Sequence, residues 1–411
     1  MKWIRRAMPM VLCIALVLSQ PVSAATLFTE TESGITAAQS MALEIPSEFD
    51  DALPVAATAS SLEIGGKSAI LMDITSGTVL YEKNVHEKLP IASVTKIMTL
   101  LLVMEALDEG RISLDDAVTC SPEAASMGGS QIWLEPGEVM SVHDLVKAAA
   151  VVSANDACAA LAEHIDGSIE SFVEHMNTRA TELGMEDTVF LDCSGLNDEA
   201  HSSAYDVALM SRELMKHPLI KQYTTIWMDS LRDGQSQLVN TNKLIRFYKG
   251  ATGLKTGTTS TAGHNLSATA ERDGLSLVAV ILGCSTTDER FGGARKMLDY
   301  GFAHYSLYTP QIDAGALKPI PVLRGVETEV GTYAEVPKPM LMKKGDEKQV
   351  TCTVELAADL EAPVEMGQIV GKARVMRDGE ELAAYPIYAK AEVKRLGFGE
   401  CFKRLFRALC G

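Results

Sequence analysis

Zinc-binding and disulfide patterns are both missing from this 411-residue chain. It has no Cys-x-x-Cys pair and no His-x-x-x-His spacing, the usual arrangements of zinc ligands. Its eight cysteines are widely spaced, and loss of Cys13 with an N-terminal leader would leave an odd number, which is not a disulfide framework. We therefore expect no metal and no cofactor, and we expect most cysteines to be small buried apolar residues.

Cations are scarce relative to acids. The chain has 37 lysines and arginines against 54 aspartates and glutamates, which gives a formal net charge of -17. Residues 1–24 hold three cations and no acids, so the rest of the chain carries a net charge near -20. This excess of negative charge argues against nucleic acid as a partner, because surfaces that bind phosphates are basic.

An apolar run at residues 11–18 is too short to span a membrane comfortably. Lys2, Arg5 and Arg6 precede this run, and a small-residue Val-Ser-Ala sequence at 22–24 follows it. The arrangement predicts a secretory signal over residues 1–24 that is removed from the mature chain. The protein is therefore expected to work outside the cytoplasm.

Strand-like and helix-like segments divide the chain into regions. Residues 25–62 show no sustained period and are predicted to be a linker or pro-segment. Residues 63–308 are predicted to form an α+β domain, an antiparallel sheet with flanking helices, because strands lie at both ends of this region and helices in its middle. The predicted strands are residues 68–73, 79–82, 253–258, 265–270 and 275–283, and the predicted last helix is 289–304. Ser141 and Ser203 are predicted to begin helices.

The C-terminal part has a different character. Short β-rich runs alternate with turns over residues 309–393, which predicts a smaller, all-β domain without catalytic residues. Residues 394–411 are predicted to form an amphipathic helix that anchors the protein peripherally to the outer face of the cytoplasmic membrane. The alternative is a helix docked on the all-β domain. The apolar stripe consists of Phe398, Phe402, Leu405, Phe406 and Leu409, and the basic residues off it are Lys403, Arg404 and Arg407.

A Ser-x-x-Lys spacing stands where a Pro-containing turn gives way to an apolar helical run. Residues three apart share one face of a helix, so the hydroxyl of Ser93 and the ammonium of Lys96 can meet. A hydroxyl is a weak nucleophile until a base removes its proton, and a lysine with a lowered pKa can be that base. The alternative is an N-cap serine followed by a surface lysine.

Two further motifs follow, Ser-Ala-Asn at residues 153–155 and Lys-Thr-Gly-Thr at residues 255–258. Singly, each has an ordinary structural explanation, a turn residue for Asn155 and a strand-edge lysine for Lys255. In this order, the three motifs resemble the active-site set of the penicillin-recognising serine enzymes. The wider layout of the chain is similar to the low-molecular-mass D-alanyl-D-alanine carboxypeptidases, which are penicillin-binding proteins.

The resemblance implies a β-lactamase/transpeptidase-like fold and removal of the terminal D-alanine from peptidoglycan stem peptides through an acyl-enzyme. It also implies that β-lactam antibiotics acylate the enzyme as covalent inhibitors. The residue types suit this chemistry: Ser93 would attack the amide carbonyl, Lys96 would take the proton of Ser93, and Ser153 would pass a proton to the departing amine.

The other motif residues suit substrate binding. Asn155 can bind both a substrate amide and Lys96, since its side chain donates and accepts hydrogen bonds. Lys255 and Thr256 can hold the free carboxylate of the substrate. Lys255 would also lower the pKa of Lys96 by like-charge repulsion.

Backbone groups are expected to contribute as well. Gly257 would allow the substrate backbone to lie close, and the N–H groups of Ser93 and Thr258 would form the oxyanion hole. Some relatives have a histidine after Lys-Thr-Gly, but Thr258 keeps the backbone role. By its position in the family, Arg290 would also hold the substrate carboxylate; the alternative is a surface pair with the acids at positions 288 and 289.

Three other functions share parts of this sequence pattern. A β-lactamase would need the glutamate of a Glu-x-x-Leu-Asn element, but Leu196-Asn197 is preceded at that position by Cys193. A non-catalytic peptidoglycan-binding protein on the same fold is disfavoured by the intact Ser93 and Lys96. A transpeptidase differs only in its acyl acceptor and stays open.

Overall fold

The structure of the protein is a computed structural model that describes residues 62–410. The predicted signal over 1–24 and all but the last residue of the predicted linker over 25–62 lie outside the described residues. The described chain forms an antiparallel sheet with helices, followed by a region of strands and a C-terminal helix. The predicted fold class is therefore confirmed.

The sheet-containing part runs from Ser68 to His304. In chain order its elements are β1 (Ser68–Asp73), β2 (Val79–Lys83), α1 (Lys96–Asp108), β3 (Ala117–Thr119), α2 (Pro122–Ala125), β4 (Val139–Ser141), α3 (Val142–Val151), α4 (Asn155–Asp166), α5 (Ile169–Glu182), α6 (Ala204–Leu214), α7 (Ile220–Thr224), β5 (Met228–Leu231), β6 (Ser236–Val239), α8 (Leu244–Phe247), β7 (Ala251–Thr259), β8 (Gly263–Arg272), β9 (Leu275–Cys284) and α9 (Thr287–His304). A 3₁₀ turn, Ala92–Thr95, lies directly before α1.

Five strands form one antiparallel sheet in the order β2-β1-β9-β8-β7. They are the five predicted strands, each within two residues of its predicted ends. The strand with the Lys-Thr-Gly motif, β7, lies at one edge of the sheet. The hairpins β3–β4 and β5–β6 have no signal in the sequence, because strands of three or four residues are too short to show a period.

Helices cover both faces of the sheet. The central strand β9 packs against α6 on one face and α9 on the other, so its residues alternate between two apolar cores. The residues in the larger, helical core are Val278, Val280 and Leu282, and those in the core with α9 are Leu277, Ala279 and Ile281. Because both faces are buried, the strand is apolar almost throughout.

The helix α1 is the centre of the helical core. Ten of its thirteen residues are buried, so it has no polar face and cannot move without disturbing its neighbours. Two of the other helices begin where the sequence predicts. The hydroxyl of Ser141 accepts a hydrogen bond from the Asp144 N–H at 3.1 Å, and that of Ser203 accepts one from the Asp206 N–H at 3.2 Å.

The region after His304 consists mostly of strands. They are β10 (Tyr305–Tyr308), β11 (Ile320–Leu323), β12 (Glu329–Val330), β13 (Thr332–Ala334), β14 (Met340–Lys343), β15 (Val350–Leu356), β16 (Leu360–Glu361), β17 (Ile369–Arg377) and β18 (Glu380–Ala389), and α10 (Phe398–Cys410) follows. The strand order is β12-β11-β16 in one sheet and β13-β18-β17-β15 in another, while β10 pairs with β14. This region has its own apolar core, which includes Val322, Ala373 and Ile387.

In the C-terminal helix α10, every residue except the half-buried Glu400 is exposed. Its apolar stripe is open to solvent, with Phe398 88% and Leu409 76% exposed. A hydrogen bond from Arg404 to the carbonyl of Val326 reaches the strand region, but the stripe itself is not covered. The alternative of a stripe docked on the all-β domain is therefore wrong. None of the helices between residues 62 and 410 has the length and apolar character needed to cross a bilayer.

Candidate active site

Ser93 and Lys96 meet at the start of α1. Ser93 lies in the 3₁₀ turn, and Lys96 is the first residue of the helix. The Lys96 Nζ lies 3.0 Å from the Ser93 Oγ and donates to the Ser194 carbonyl at 2.6 Å. Lys96 is fully buried, so the alternative of a surface lysine after an N-cap serine is wrong.

Burial controls the charge of Lys96. Removal from water disfavours the ammonium form and lowers the pKa of Lys96 from its ordinary value. The negative potential of more distant acids, such as Asp192 and Asp156, works in the opposite direction. A lysine with a lowered pKa and its nitrogen at a serine hydroxyl has the arrangement of a general base and its nucleophile.

A second buried lysine lies on β7. Lys255 is only 1% exposed although its strand is at the sheet edge, and its Nζ donates to the Thr256 carbonyl at 2.9 Å. Burial lowers the pKa of Lys255 well below its ordinary value, and repulsion from Lys96 and Arg290 lowers it further. Because repulsion between two cations is mutual, protonation of either lysine opposes protonation of the other.

The Ser-Ala-Asn motif joins α3 to α4, as predicted for a tight interhelical connection. Ser153 has a φ of +65°, and Asn155 is the first residue of α4. The Ser153 Oγ and the Asn155 Oδ1 are buried and have no hydrogen-bond partner among residues 62–410. A buried polar atom without a partner is costly, and the predicted contacts of these two side chains with a substrate stay a prediction. The predicted bond between Asn155 and Lys96 is not formed, since the Asn155 Oδ1 accepts from no described residue and the Asn155 Nδ2 donates to the Gly128 carbonyl at 2.6 Å.

Gly257 brings β7 against the turn that carries Ser93. A Cβ at this position would lie 2.5 Å from the Ile91 carbonyl oxygen and 3.1 Å from the Val94 nitrogen. The close approach of the strand to the nucleophile turn therefore requires glycine here. Its expected contact with the substrate backbone stays a prediction, as does the oxyanion hole of the Ser93 and Thr258 N–H groups.

Arg290 reaches β7 from the first turn of α9. Its Nη1 donates to the Gly257 carbonyl at 3.1 Å and to the Thr258 Oγ1 at 3.0 Å. Arg290 is 7% exposed, and burial lowers its pKa. The alternative of a surface ion pair between Arg290 and the neighbouring acids is therefore wrong, because Arg290 is buried and Glu289 instead accepts from the Gly66 and Ser285 N–H groups.

Thr256, also on β7, has a hydroxyl that donates to the Thr241 hydroxyl at 2.8 Å.

A loop at residues 192–197 forms the back of the site, and sequence reasoning did not find its role. The Asp192 carboxylate accepts from the Ser194 N–H at 2.6 Å, the Asn197 N–H at 2.6 Å and the Gly195 N–H. Although burial alone would raise its pKa, these backbone donors lower the pKa of Asp192. The folded loop aims the Ser194 carbonyl at Lys96. An Asp before Ser and Gly is a turn signal, but it does not reveal which side chain the turn will hold.

Cys193 stands at the position where the β-lactamase pattern has glutamate. It is buried, and its carbonyl accepts a hydrogen bond from the Thr99 hydroxyl at 2.6 Å. Burial raises the pKa of the Cys193 thiol, so it stays neutral and cannot replace a carboxylate base. Of the cysteines in the described chain, Cys120, Cys158, Cys193 and Cys284 are buried, Cys352 is half-buried, and Cys401 and Cys410 are exposed.

The fold and the two lysines around Ser93 define a serine hydrolase of the penicillin-recognising class, and comparison with known proteins gives the family. The family described as D-alanyl-D-alanine carboxypeptidase matches residues 55–286, and the penicillin-binding protein 5 C-terminal domain matches residues 310–395. The D-alanyl-D-alanine carboxypeptidase DacF of Bacillus subtilis is 43% identical over 350 residues, which cover 84% of this chain and 90% of that protein. The chain thus belongs to the D-alanyl-D-alanine carboxypeptidase family, and the resemblance stated above is confirmed.

Solved structures agree with this assignment. Penicillin binding protein 5 from Haemophilus influenzae is 30% identical with a TM-score of 0.68, and the match covers 81% of this chain and 98% of that one. The ampicillin-bound form of penicillin-binding protein D2 from Listeria monocytogenes is 33% identical with a TM-score of 0.54, over 59% of this chain and 99% of that one. The first match covers more of this chain than the second does.

Proposed function

We propose that this protein is a serine-type D-alanyl-D-alanine carboxypeptidase that removes the terminal D-alanine from peptidoglycan stem peptides. The contact between the buried Lys96 amine and the Ser93 hydroxyl carries this proposal, because it joins a nucleophile to a base of lowered pKa. Family membership supplies the substrate class.

In the proposed reaction, Lys96 takes the proton of Ser93 as the Ser93 oxygen attacks the penultimate carbonyl. The tetrahedral intermediate collapses when Ser153 passes its proton to the amine of the departing D-alanine and takes a proton from Lys96 in return, and an ester on Ser93 remains. Water then attacks the ester while the neutral Lys96 takes its proton, and Lys96 returns that proton to the Ser93 oxygen as the shortened peptide leaves. The partnerless Ser153 Oγ supports a role in this proton transfer.

The second lysine gives the substrate a way to activate the base. The terminal carboxylate of the peptide would lie between Lys255, Thr256 and Arg290, where it favours the charged form of Lys255. Since the two lysines repel each other, a proton held on Lys255 keeps Lys96 neutral. In this proposal the correct substrate completes the catalytic base on binding.

Covalent inhibition by β-lactams is part of the same proposal. The relative bound to ampicillin supports it, and Ser93 would be the acylated residue. Rapid turnover of the β-lactam is disfavoured, because Cys193 is neutral and buried and both oxygens of Asp192 accept backbone N–H groups. The protein would therefore behave as a penicillin-binding protein rather than as a β-lactamase.

The location proposed for the enzyme is the outer face of the cytoplasmic membrane. The signal-like residues 1–24 support secretion. The uncovered stripe of α10, with Lys403, Arg404 and Arg407 beside it, supports peripheral attachment to an anionic lipid surface. The domain limits proposed are 63–308 for catalysis, 309–393 for the all-β domain and 394–411 for the anchor.

Release of D-alanine tests the proposed function. Purified protein should liberate D-alanine from diacetyl-L-Lys-D-Ala-D-Ala, and Ser93→Ala should lower the rate by more than about 10³-fold. Mass spectrometry after benzylpenicillin treatment should place the adduct on the peptide that contains Ser93. If the wild type releases no D-alanine, the protein is a non-catalytic binding protein. Steady-state hydrolysis of nitrocefin at many turnovers per second would indicate a β-lactamase.

A further inference from the structure

Trp133 is a large aromatic residue in an unusual position. Its side chain is 75% exposed, the most exposed of the tryptophans in the described chain, and its φ is +59°. A bulky residue rarely adopts a positive φ, and it keeps one only where the surrounding structure holds it there. The protein therefore fixes this indole in solvent at some energetic cost.

Two charged side chains hold the backbone around Trp133. The carboxylate of Asp156, which is fully buried, accepts from the Ile132 N–H at 3.1 Å and from the Leu134 N–H at 3.0 Å, one residue to each side. From the β5–β6 hairpin, Arg232 donates to the Ile132 carbonyl at 2.9 Å and to the Trp133 carbonyl at 3.3 Å. The backbone that carries the indole is thus held in place by two distant parts of the fold.

All the hydrogen-bond donors of Arg232 are engaged by the protein. Its other donors reach the Ser236 hydroxyl at 3.0 Å and both oxygens of the Glu138 carboxylate at 2.8 Å and 3.0 Å. A guanidinium has five N–H groups, and all five now have acceptors. Arg232 therefore holds the loop and neutralises Glu138, and it has no donor left for a ligand.

The loop that carries Trp133 is continuous with the candidate active site. The backbone N–H of Asn155 donates to the Ser130 carbonyl at 2.7 Å, and Asp156 is the next residue of α4. Three residues of extended chain reach about 10 Å, so Trp133 lies within roughly that distance of the Ser130 backbone. A substrate that contacts Asn155 near the cleaved bond and extends away from that bond toward the N-terminus of its peptide can reach the indole.

The surroundings of Trp133 are open and rich in acceptors. An open cavity of about 580 Å³ is lined by Trp133, Glu135, Pro136, Gly137, Glu138 and Arg232. Within residues 62–410 the Glu135 carboxylate has neither a hydrogen-bond donor nor an ion-pair partner, although its own N–H donates to Glu138 at 3.0 Å. An indole face beside a free carboxylate suits a sugar ring, whose C–H face stacks on the aromatic ring while its hydroxyls donate to the carboxylate.

We infer that Trp133 is a stacking platform for an N-acetylated amino-sugar ring of the glycan to which the stem peptide is attached. The inference rests on the proposed function, because that function supplies a substrate with a sugar beyond its peptide. A peptide ammonium is the less suitable occupant, since a single ring open to water holds a cation only weakly and the described residues that line the cavity add no second aromatic ring. Trp133 would then select glycan-linked peptides over free ones.

Paired substrates test this inference. Wild type, Trp133→Ala and Trp133→Phe are assayed with a disaccharide pentapeptide, with the same pentapeptide lacking sugar, and with diacetyl-L-Lys-D-Ala-D-Ala. For Trp133→Ala we expect KM on the disaccharide substrate to rise roughly 5- to 10-fold with kcat unchanged, and no change on the two sugar-free substrates. Trp133→Phe should recover most of the loss, because it keeps an aromatic face.

A control variant and a binding measurement exclude a general surface effect. Phe247→Ala removes a ring that is 62% exposed and packs on Trp227, and it should leave the disaccharide KM unchanged. In Ser93→Ala with Trp227→Phe, Trp133 is the single tryptophan after residue 24, so the disaccharide pentapeptide should quench its fluorescence while the sugar-free peptide does not.

The outcomes separate the two proposals. An equal rise of KM on the sugar-free pentapeptide would show that Trp133 contacts the peptide, and it would overturn the sugar platform. An unchanged KM on every substrate would overturn it as well. Absence of cleavage by the wild type on all three substrates would instead reject the proposed carboxypeptidase function. Trp133→Gly, which suits a positive φ, should show the same KM rise as Trp133→Ala, so a misfolded loop cannot explain the result.

Discussion

The Nζ of Lys96 lies 3.0 Å from the Oγ of Ser93, and the lysine that provides it is fully buried. The carbonyl of Ser194 fixes the same nitrogen from a second direction at 2.6 Å. This geometry places a base of lowered pKa at the hydroxyl that it must deprotonate, so the charge of one lysine should govern the rate of acylation.

Acylation by benzylpenicillin should therefore rise with pH. Burial lowers the pKa of Lys96, so the neutral, proton-accepting form increases as the pH rises through that lowered pKa and the rate then levels off. Lys255→Met removes the group whose charged form, favoured by the benzylpenicillin carboxylate, would repel the Lys96 ammonium, so the variant should raise the pKa of Lys96 and move the midpoint to higher pH. Stopped-flow or quench measurements of the second-order rate across pH would show this shift, and an unmoved midpoint in Lys255→Met would contradict the coupling.

Arg290 is expected to recognise the substrate carboxylate. Arg290→Ala should raise KM for a D-Ala-D-Ala peptide by about 10- to 100-fold, since a hydrogen bond to a charged group contributes roughly 1.5–3 kcal/mol. The control is a peptide whose C-terminus is amidated. If the guanidinium binds the carboxylate, wild type and Arg290→Ala should cleave the amidated peptide equally poorly. If Arg290 is only structural, its replacement should slow cleavage of the free-acid and amidated peptides by the same factor.

Gly257 should tolerate no side chain. Gly257→Ala would place a Cβ 2.5 Å from the Ile91 carbonyl, so we expect about 1–3 kcal/mol of destabilisation and a fall in kcat as β7 moves away from Ser93. Gly292 in α9 is a matched control, because a Cβ there meets nothing within 4 Å and alanine should stabilise the helix by roughly 0.5–1 kcal/mol. Urea unfolding and D-alanine release measure both effects, and equal behaviour of the two variants would refute the packing argument.

The helix α10 should determine membrane binding without affecting catalysis. Deletion of residues 397–411 is expected to leave D-alanine release unchanged and to abolish sedimentation with vesicles that contain anionic lipid. A milder variant, Phe402→Ser with Phe406→Ser, keeps the charges while it removes part of the stripe, and it should also weaken binding. A truncated protein that still sediments with the vesicles would show that another surface holds the membrane.

Much of the scaffold is encoded in short stretches of sequence. The strands of the main sheet were predictable because buried strands are short apolar runs bounded by turn residues. The starts of α3 and α6 follow from Ser141 and Ser203, whose hydroxyls satisfy backbone N–H groups only three residues away. These signals are local, so one sequence suffices to find them.

The loop of Asp192 and the position of Trp133 were not predictable in the same way. The bonds of Asp192 are local, but their effect is on Lys96, 98 residues from the Ser194 carbonyl that holds it. Trp133 is held by Arg232, which is 99 residues away along the chain. No periodicity connects residues so far apart, and a sequence pattern cannot show which surface loop a distant arginine will reach.

The sequence by itself determined which groups can react, because Ser93 and Lys96 lie one helical turn apart and that spacing alone brings them to one face. The tertiary structure alone decided how readily Lys96 gives up its proton and so becomes a base. A lowered lysine pKa requires removal of water from all sides, and that depends on α1, β7 and the 192–197 loop closing around Lys96 from distant parts of the chain.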